Sequence, residues 1–329
     1  MNCIQFGLRQ AVCAAVLLAV WPAPSFAQTG RIGRLHKTIE EAVVSAVTTI
    51  ESGLLPIRKY RPAAQSASPA PISLNYPVVL VHGIACHDRG KLNPWGRIPA
   101  VLQDAGVDVY YGQTDAWGSV ESNAEILKAT IDRILAETGR EKVNIIAHSK
   151  GGIDSRYCIW KYNYGDRVAS LTTIATPHHG SEVADYLYNN KVTHYRPVKH
   201  NLMVFEKMFG DTNPDIYYAG HQLTTEKMKE FNEVVLMDDR VYYQCVYSAM
   251  ESSMDDSLFS YSHDYIRGIG GKNDGLVSEY SAQWGHNNIK IAGSISHGQI
   301  SDQGIMKPSG VNVPEIYVRL VKGLSERGF

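Results

Sequence analysis

Apolar residues along this chain follow two rhythms. Short, nearly continuous runs appear in "PVVLVHG" (77–83), "VDVYYGQ" (107–113), "KVNIIAH" (142–148), "VASLTTIATP" (168–177), "VYYQCVYSAM" (241–250) and "NIKIAGSIS" (288–296). Such runs, bounded by glycine, proline or polar residues, predict strands buried on both faces. Between them the spacing becomes helical. A short helix is predicted within 93–106, closed by Gly106. A longer one spans 119–139, with Ile126, Ile131 and Ile134 on one side and Gly139 after its end. A third begins at "SKGGIDSRYCIWKY" (149–162). Alternating strands and helices predict an α/β domain with a mostly parallel sheet covered by helices on both faces.

The alternation breaks over about 182–235. There the chain reads as short helical pieces rich in Met, Phe and Tyr, an insertion between two strands. Leu202, Phe205, Met208 and Phe209 share one face at helical spacing. An insertion at that place in such a sheet lies over its carboxyl end. These four residues are therefore the expected substrate-covering, lid-like face.

Upstream, apolar residues at Ile32, Leu35, Ile39, Val43, Val47, Ile50 and Leu54 predict an amphipathic helix. A Pro/Ala/Ser-rich linker follows it, up to about residue 75. The first residues differ again. Arg9 is the sole charge before Gly30, "AVCAAVLLAV" is apolar, and Ser25 and Ala27 stand at small-residue exit positions. This pattern predicts a secretory signal over 1–27 and a secreted or periplasmic mature chain. The expected division is signal 1–27, helix and linker 28–75, and main domain 76–329.

Composition narrows the function. The chain has 329 residues, 20% charged, with a formal net charge of −1 and no basic stripe, so no nucleic-acid partner is expected. No stable protein partner is inferred. Removal of the signal would leave Cys86, Cys158 and Cys245, an odd number in apolar or Tyr-rich surroundings, which favours free buried thiols.

The chemistry concentrates where strands end. "AHSKG" (147–151) is a G-x-S-x-G nucleophile elbow with Ala in the first position. A strand enters, a helix leaves, and Ser149 sits at a sharp corner, with small residues two before and two after it. His82-Gly83 closes the first strand and turns the backbone so that the Ile84 N–H can face Ser149. With the Lys150 N–H it would make a two-donor oxyanion hole. "GGKNDGLVS" puts Asp274 in a tight turn, and "SISHGQISD" puts His297 just after the last strand. The order Ser, Asp, His suits a proton relay in which His297 takes the Ser149 proton and Asp274 holds the imidazole.

These segments resemble the secreted bacterial triacylglycerol lipases of the α/β-hydrolase fold. The likeness covers roughly Tyr76 to Gln303 and rests on "YPVVLVHG", "KVNIIAHSKGGIDSRY", "TPHHGSEVADYL", "NDGLVS" and "SHGQISDQ". It implies Ser149 as nucleophile, Asp274 as acid, His297 as base, and Ile84 and Lys150 as oxyanion-hole backbones. It implies an acyl-ester or lipid substrate, met at a lipid–water interface. No cofactor is required. Many of these lipases hold a structural Ca²⁺ near the histidine, with an acidic residue two positions after it. Here that position is Gln299, leaving Asp255, Asp256 and Asp302 as an incomplete set of Ca²⁺ candidates. A short-chain esterase, phospholipase, polyester depolymerase or acyltransferase would use the same three residues. A non-catalytic hydrolase fold acting as a binding module is the alternative of a different class.

Overall fold

A computed structural model describes residues 71–88, 93–189, 211–303, 308 and 310–329. The signal, the amphipathic helix and its linker lie outside the described residues, as do Leu202, Phe205, Met208 and Phe209.

Six parallel strands form one sheet: β1 (Val78–Val81), β2 (Val109–Tyr111), β3 (Val143–His148), β4 (Val168–Ile174), β5 (Tyr242–Ala249) and β6 (Asn288–Ser294), in spatial order β2-β1-β3-β4-β5-β6. The register pairs Val81 with Ala147 and His148 with Ile174, so the central strands end level with one another. Every residue of β1, β3 and β4 is buried. This is the physical reason their sequences read as continuous rather than alternating apolar runs.

Successive side chains leave a strand on opposite faces. Val78 and Leu80 therefore join one core with Ile146, Ile98 and Leu102 of α1 (Ile98–Asp104), and Ile316, Tyr317, Leu320 and Val321 of the last helix. Val79 and Val81 join the other, with Leu127, Ile131 and Ile134 of α2 (Val120–Thr138) and Cys158 and Ile159 of α3 (Lys150–Tyr162). On α2 the buried stripe runs through Ala124, Leu127, Ile131, Ile134 and Leu135, whereas Ile126 is only partly buried. The expected stripe through Ile126 was thus rotated by about one residue. Ser119 caps the helix start by accepting from the Ser122 N–H, and Gly139 ends it in a left-handed conformation.

Between β4 and β5 the described chain is helical: α4 (Glu182–Asn189), α5 (Ile216–His221) and α6 (Thr225–Val234). After β5 come α7 (Ser260–Ile269) and α8 (Glu279–Ala282), and after β6 comes α9 (Val313–Glu326). Neither α7 nor α9 was expected from the apolar pattern. Cys86, Cys158 and Cys245 are buried, and no disulfide forms among the described residues.

Two glycines of the same kind should respond oppositely to alanine. A Cβ on Gly151 would press into the carbonyl oxygens of Val81 and His82, and backbone cannot move aside cheaply. Gly323, inside α9, has no atom within 4 Å of its ideal Cβ. Gly151→Ala should lose about 1–3 kcal/mol, and Gly323→Ala should gain about 0.5–1 kcal/mol. Urea unfolding of the two variants checks both signs, and a neutral Gly151→Ala would contradict the close approach.

Candidate active site

The site is built where β1, β3 and β4 end. Ser149 follows β3 directly and precedes α3, with φ 54° and ψ −129°. A non-glycine residue held at positive φ costs about 1–3 kcal/mol, which the surroundings must impose. They do so at several points. The Ser149 N–H donates to the Ile174 carbonyl at 2.8 Å, and Gly151 lets the first turn of α3 lie against the end of β1. A side chain at Gly83 would come within 2.7 Å of Ser149 Cβ, so the chain leaving β1 passes directly beside the hydroxyl.

Ser149, His297 and Asp274 lie in one hydrogen-bonded line. Ser149 Oγ is 2.9 Å from His297 Nε2, and His297 Nδ1 is 2.8 Å from Asp274 Oδ2. All three are buried, Asp274 at 1% exposure. The ionised carboxylate can only accept, so Nδ1 carries the proton and Nε2 is left to accept from the serine hydroxyl. The second Asp274 oxygen accepts from the N–H groups of Leu276 (3.0 Å) and Val277 (2.8 Å), and the His297 N–H donates to the Asp274 carbonyl at 2.9 Å. The acid loop and the histidine loop therefore fix each other. Asn273 braces that turn by accepting from the Gly275 N–H and donating to the His263 and Gly271 carbonyls.

His148 was not anticipated from the sequence as a site residue. Its Nε2 donates to the His297 carbonyl at 3.0 Å, and the two rings sit 4.8 Å apart. Phe259 closes the other side of the His297 ring at 6.4 Å. Burial, then the nearby His297, pushes the His148 imidazole well below the usual histidine range, so it stays neutral. The "AHS" of the elbow was the signal: the residue before the serine sits under the strand end from which the histidine loop must hang.

Of the two expected oxyanion donors, Lys150 opens α3, where the N–H has no acceptor within the helix. Ile84 follows Gly83, and the next residue is pinned by an Ala85 N–H to Ala116 carbonyl bond of 3.0 Å. The Lys150 ammonium does not reach solvent. It pairs with Asp154 at 2.6 Å, both side chains at 1% exposure.

Behind α3, His178 and His179 are packing residues. His178 is fully buried, bonded to Thr173 Oγ1 at 2.9 Å and to Arg156 at 3.1 Å, and stacked on Trp284. Burial pushes it well below the usual histidine range. The Arg156 guanidinium lies 3.7 Å from the centre of the Trp284 ring and donates to Asn232 and the Val235 carbonyl. Burial lowers its pKa to about 9.

The acidic candidates for Ca²⁺ are committed elsewhere. Asp302 accepts from the Arg97 backbone N–H, Nε and a terminal guanidinium nitrogen at 2.8–2.9 Å. Asp255 accepts from the Glu251 and Ser252 N–H groups and from Ser294 Oγ, and Asp256 from the Leu258 N–H and Ser296 Oγ. Gln299 Oε1 accepts from the Ser296 N–H. No group of three or more His, Cys, Asp or Glu that could hold a metal exists among the described residues.

Fold and site together define an α/β-hydrolase with a Ser-His-Asp hydrogen-bonded line at its strand ends. The sequence profile of the palmitoyl protein thioesterase family matches residues 77–243, half of the chain, and the chain belongs to that family. Among curated proteins it is 31% identical over 215 residues to a triacylglycerol lipase of Burkholderia plantarii, covering 60% of each chain. It is 35% identical over 170 residues to a triacylglycerol lipase of Pseudarthrobacter phenanthrenivorans, covering 48% of this chain and 53% of that one. The matches thus span little more than half the length of these relatives. Among solved structures, the metagenomic carboxyl esterase MGS0156 superposes with a TM-score of 0.62 at 15% identity, over 81% of this chain and 80% of that one. Mature Bacillus licheniformis lipase BlEst2 does so at 0.56 and 22% identity, over 77% and 95%.

Two buried imidazoles, those of His148 and His178, make stability depend on pH. An unfolded histidine takes its proton near pH 6.5, whereas folded His148 and His178 resist it. Below that value the unfolded state binds more protons, so stability falls with falling pH, by about 1.4 kcal/mol per pH unit for each group. Denaturant unfolding near pH 7.5 and about pH 5.5 should show the loss. His178→Gln should reduce the slope by about 1.4 kcal/mol per unit. An unchanged slope would mean that His178 is protonated in the fold.

Proposed function

We propose that the protein hydrolyses carboxylic esters of acyl chains through a covalent acyl-enzyme on Ser149. The observation that carries this reading is the continuous line from Ser149 Oγ through His297 to Asp274 on a strained elbow. Ser149 Oγ adds to the ester carbonyl while its proton passes to His297 Nε2. The oxyanion receives the N–H groups of Ile84 and Lys150, which is worth roughly 3 kcal/mol per donor in the transition state. The alcohol leaves with the proton from His297. Water then enters by the same route and releases the acid. Asp274 stays ionised and steadies the imidazolium.

The relatives named triacylglycerol lipase support a lipid acyl ester as the substrate. The family profile favours a second substrate class, a long-chain acyl thioester, which the same serine chemistry would cleave. The run Ala11–Val20 and the small residues Ser25 and Ala27 support export from the cytoplasm. The helical spacing of the apolar residues Leu202, Phe205, Met208 and Phe209 in the sequence supports contact with aggregated lipid.

Ser149→Ala should lower kcat on p-nitrophenyl esters by about 10⁴-fold and abolish labelling by a fluorophosphonate. Substantial ester hydrolysis by that variant would remove Ser149 as the nucleophile. A panel of p-nitrophenyl esters, emulsified triacylglycerol and palmitoyl-CoA then separates the ester and thioester readings by their kcat/KM values.

Replacing Phe205 and Phe209 with Ser should reduce emulsion hydrolysis more than hydrolysis of a short soluble ester. Equal losses, or no turnover of acyl chains of about eight carbons or longer, would leave a plain esterase.

A further inference from the structure

Lys150 supplies a backbone N–H to the proposed oxyanion hole, yet its side chain is buried as deeply as any core residue. A buried ammonium–carboxylate pair is a poor stabilising device, because desolvation offsets the attraction. This one is also placed against the helix. Lys150 precedes Asp154 by four residues, the less favourable order, and puts a cation at the N-terminus of α3. Stability does not account for the pair; what it supplies is direction.

The pair continues outward through buried groups. Asp154 Oδ2 accepts from Asn123 Nδ2 at 2.9 Å. Asn123, 2% exposed on α2, grips the backbone of Asp115 from both sides: its amide donates to the Asp115 carbonyl and its oxygen accepts from the Asp115 N–H, both at 3.0 Å. Gly118 carries no side chain where one would collide with the Asn123 amide. The Thr114–Trp117 loop thus held reaches the other oxyanion donor too. The Ala116 carbonyl accepts from the Ala85 N–H, next to Ile84, and the Thr114 carbonyl is 2.9 Å from His82 Nε2.

The same loop grips the chain that re-enters after residue 210. Asp115 accepts from the Thr212 and Asn213 N–H groups at 2.9 Å. Reciprocally, Asp211 accepts from the Ala116 and Trp117 N–H groups at 3.0 and 2.7 Å.

We propose that Lys150, Asp154 and Asn123 are positioning residues, a buried relay that aims the Lys150 N–H at the oxyanion and couples both oxyanion donors to the Asp211–Asn213 segment through the Thr114–Trp117 loop. The inference rests on the acyl chemistry proposed for Ser149. None of the three side chains touches the substrate; they act through the backbone they hold.

The test separates aim from stability. Lys150→Met leaves Asp154 buried without its partner, so it should lower both Tm and activity. Lys150→Met combined with Asp154→Leu replaces the pair by apolar side chains and should restore Tm. With p-nitrophenyl butyrate the double variant should still lose about 10- to 100-fold in kcat, with KM within about twofold of the parent. Its fluorophosphonate labelling rate should fall in parallel. Recovery of kcat together with Tm would overturn the proposal. Should either variant fail to fold, Asn123→Ser removes the link while leaving both charges of the ion pair in place and should give the same split between kcat and KM; an unchanged kcat would overturn it equally. The coupling is read from Asp115→Ala, whose effect on kcat should be non-additive with that of Asn123→Ser. Additive effects would sever the Asp211–Asn213 segment from the relay. Activity surviving in Ser149→Ala would remove the proposed function, whereas recovery of kcat in the double variant removes only the relay.

Discussion

The contact on which the site depends is the approach of the α3 backbone to the end of β1, at Gly151. The helix must begin within reach of the Val81 and His82 carbonyls for Ser149 to sit at the corner with φ 54°. That approach follows from the sheet. β1 and β3 are paired from Val78–Asn144 to Val81–Ala147, and each is buried on both faces. The strand ends are therefore held by two apolar cores, and the turn between β3 and α3 has no freedom to relax. Strain at Ser149 is a consequence of packing some distance from it.

The same geometry decides where polar groups gather. The central strands β1, β3 and β4 are buried along their length, so their last residues are where backbone N–H and carbonyl groups lose ladder partners. Loops meet there and satisfy one another. The His297 N–H finds the Asp274 carbonyl, the Ala85 N–H finds the Ala116 carbonyl, and His148 donates to the His297 carbonyl. Each bond is modest alone, but all are shielded from water, where an unmade one would be costly. The result is a Ser149–His297–Asp274 line braced by backbone groups of the loops around it. Such a site tolerates little movement in any one of them.

What could be read from the sequence follows from this division. The apolar runs of β1, β3 and β4 mark strands buried on both faces, whereas β2 is only half-buried and "NIKIAGS" forms the mostly exposed edge strand β6; "AHSKGG" marks a turn too tight for side chains. The placing of Asp274 and His297 after late strands was legible because loops at strand ends carry the polar residues. The last helix was legible in principle. Pro314 stands in its first turn, and Ile316, Tyr317, Leu320, Val321 and Leu324 fall at helical spacing, but no strand follows to frame it. α7 was harder: only Ser262, His263 and Ile266 are buried, and two of those are polar. The stripe on α2 was misaligned because Ala124 and Leu127, not Ile126, face β1 and β3. Hydrophobicity alone does not rank an alanine against an isoleucine.

The partners of the acidic residues were not legible, for an electrostatic reason. A carboxylate near the histidine loop serves equally well for a cation, an arginine or a set of amide donors, and only the fold chooses. Asp302 is taken by Arg97, 205 residues away in sequence, and Asp115 by amides almost a hundred residues on. Lys150 shows the converse. In the sequence only its backbone N–H has a role, yet the fold buries its ammonium against Asp154. Asp302 and Asp115 thus hold distant loops together, whereas Lys150 and Asp154 pair within one helix.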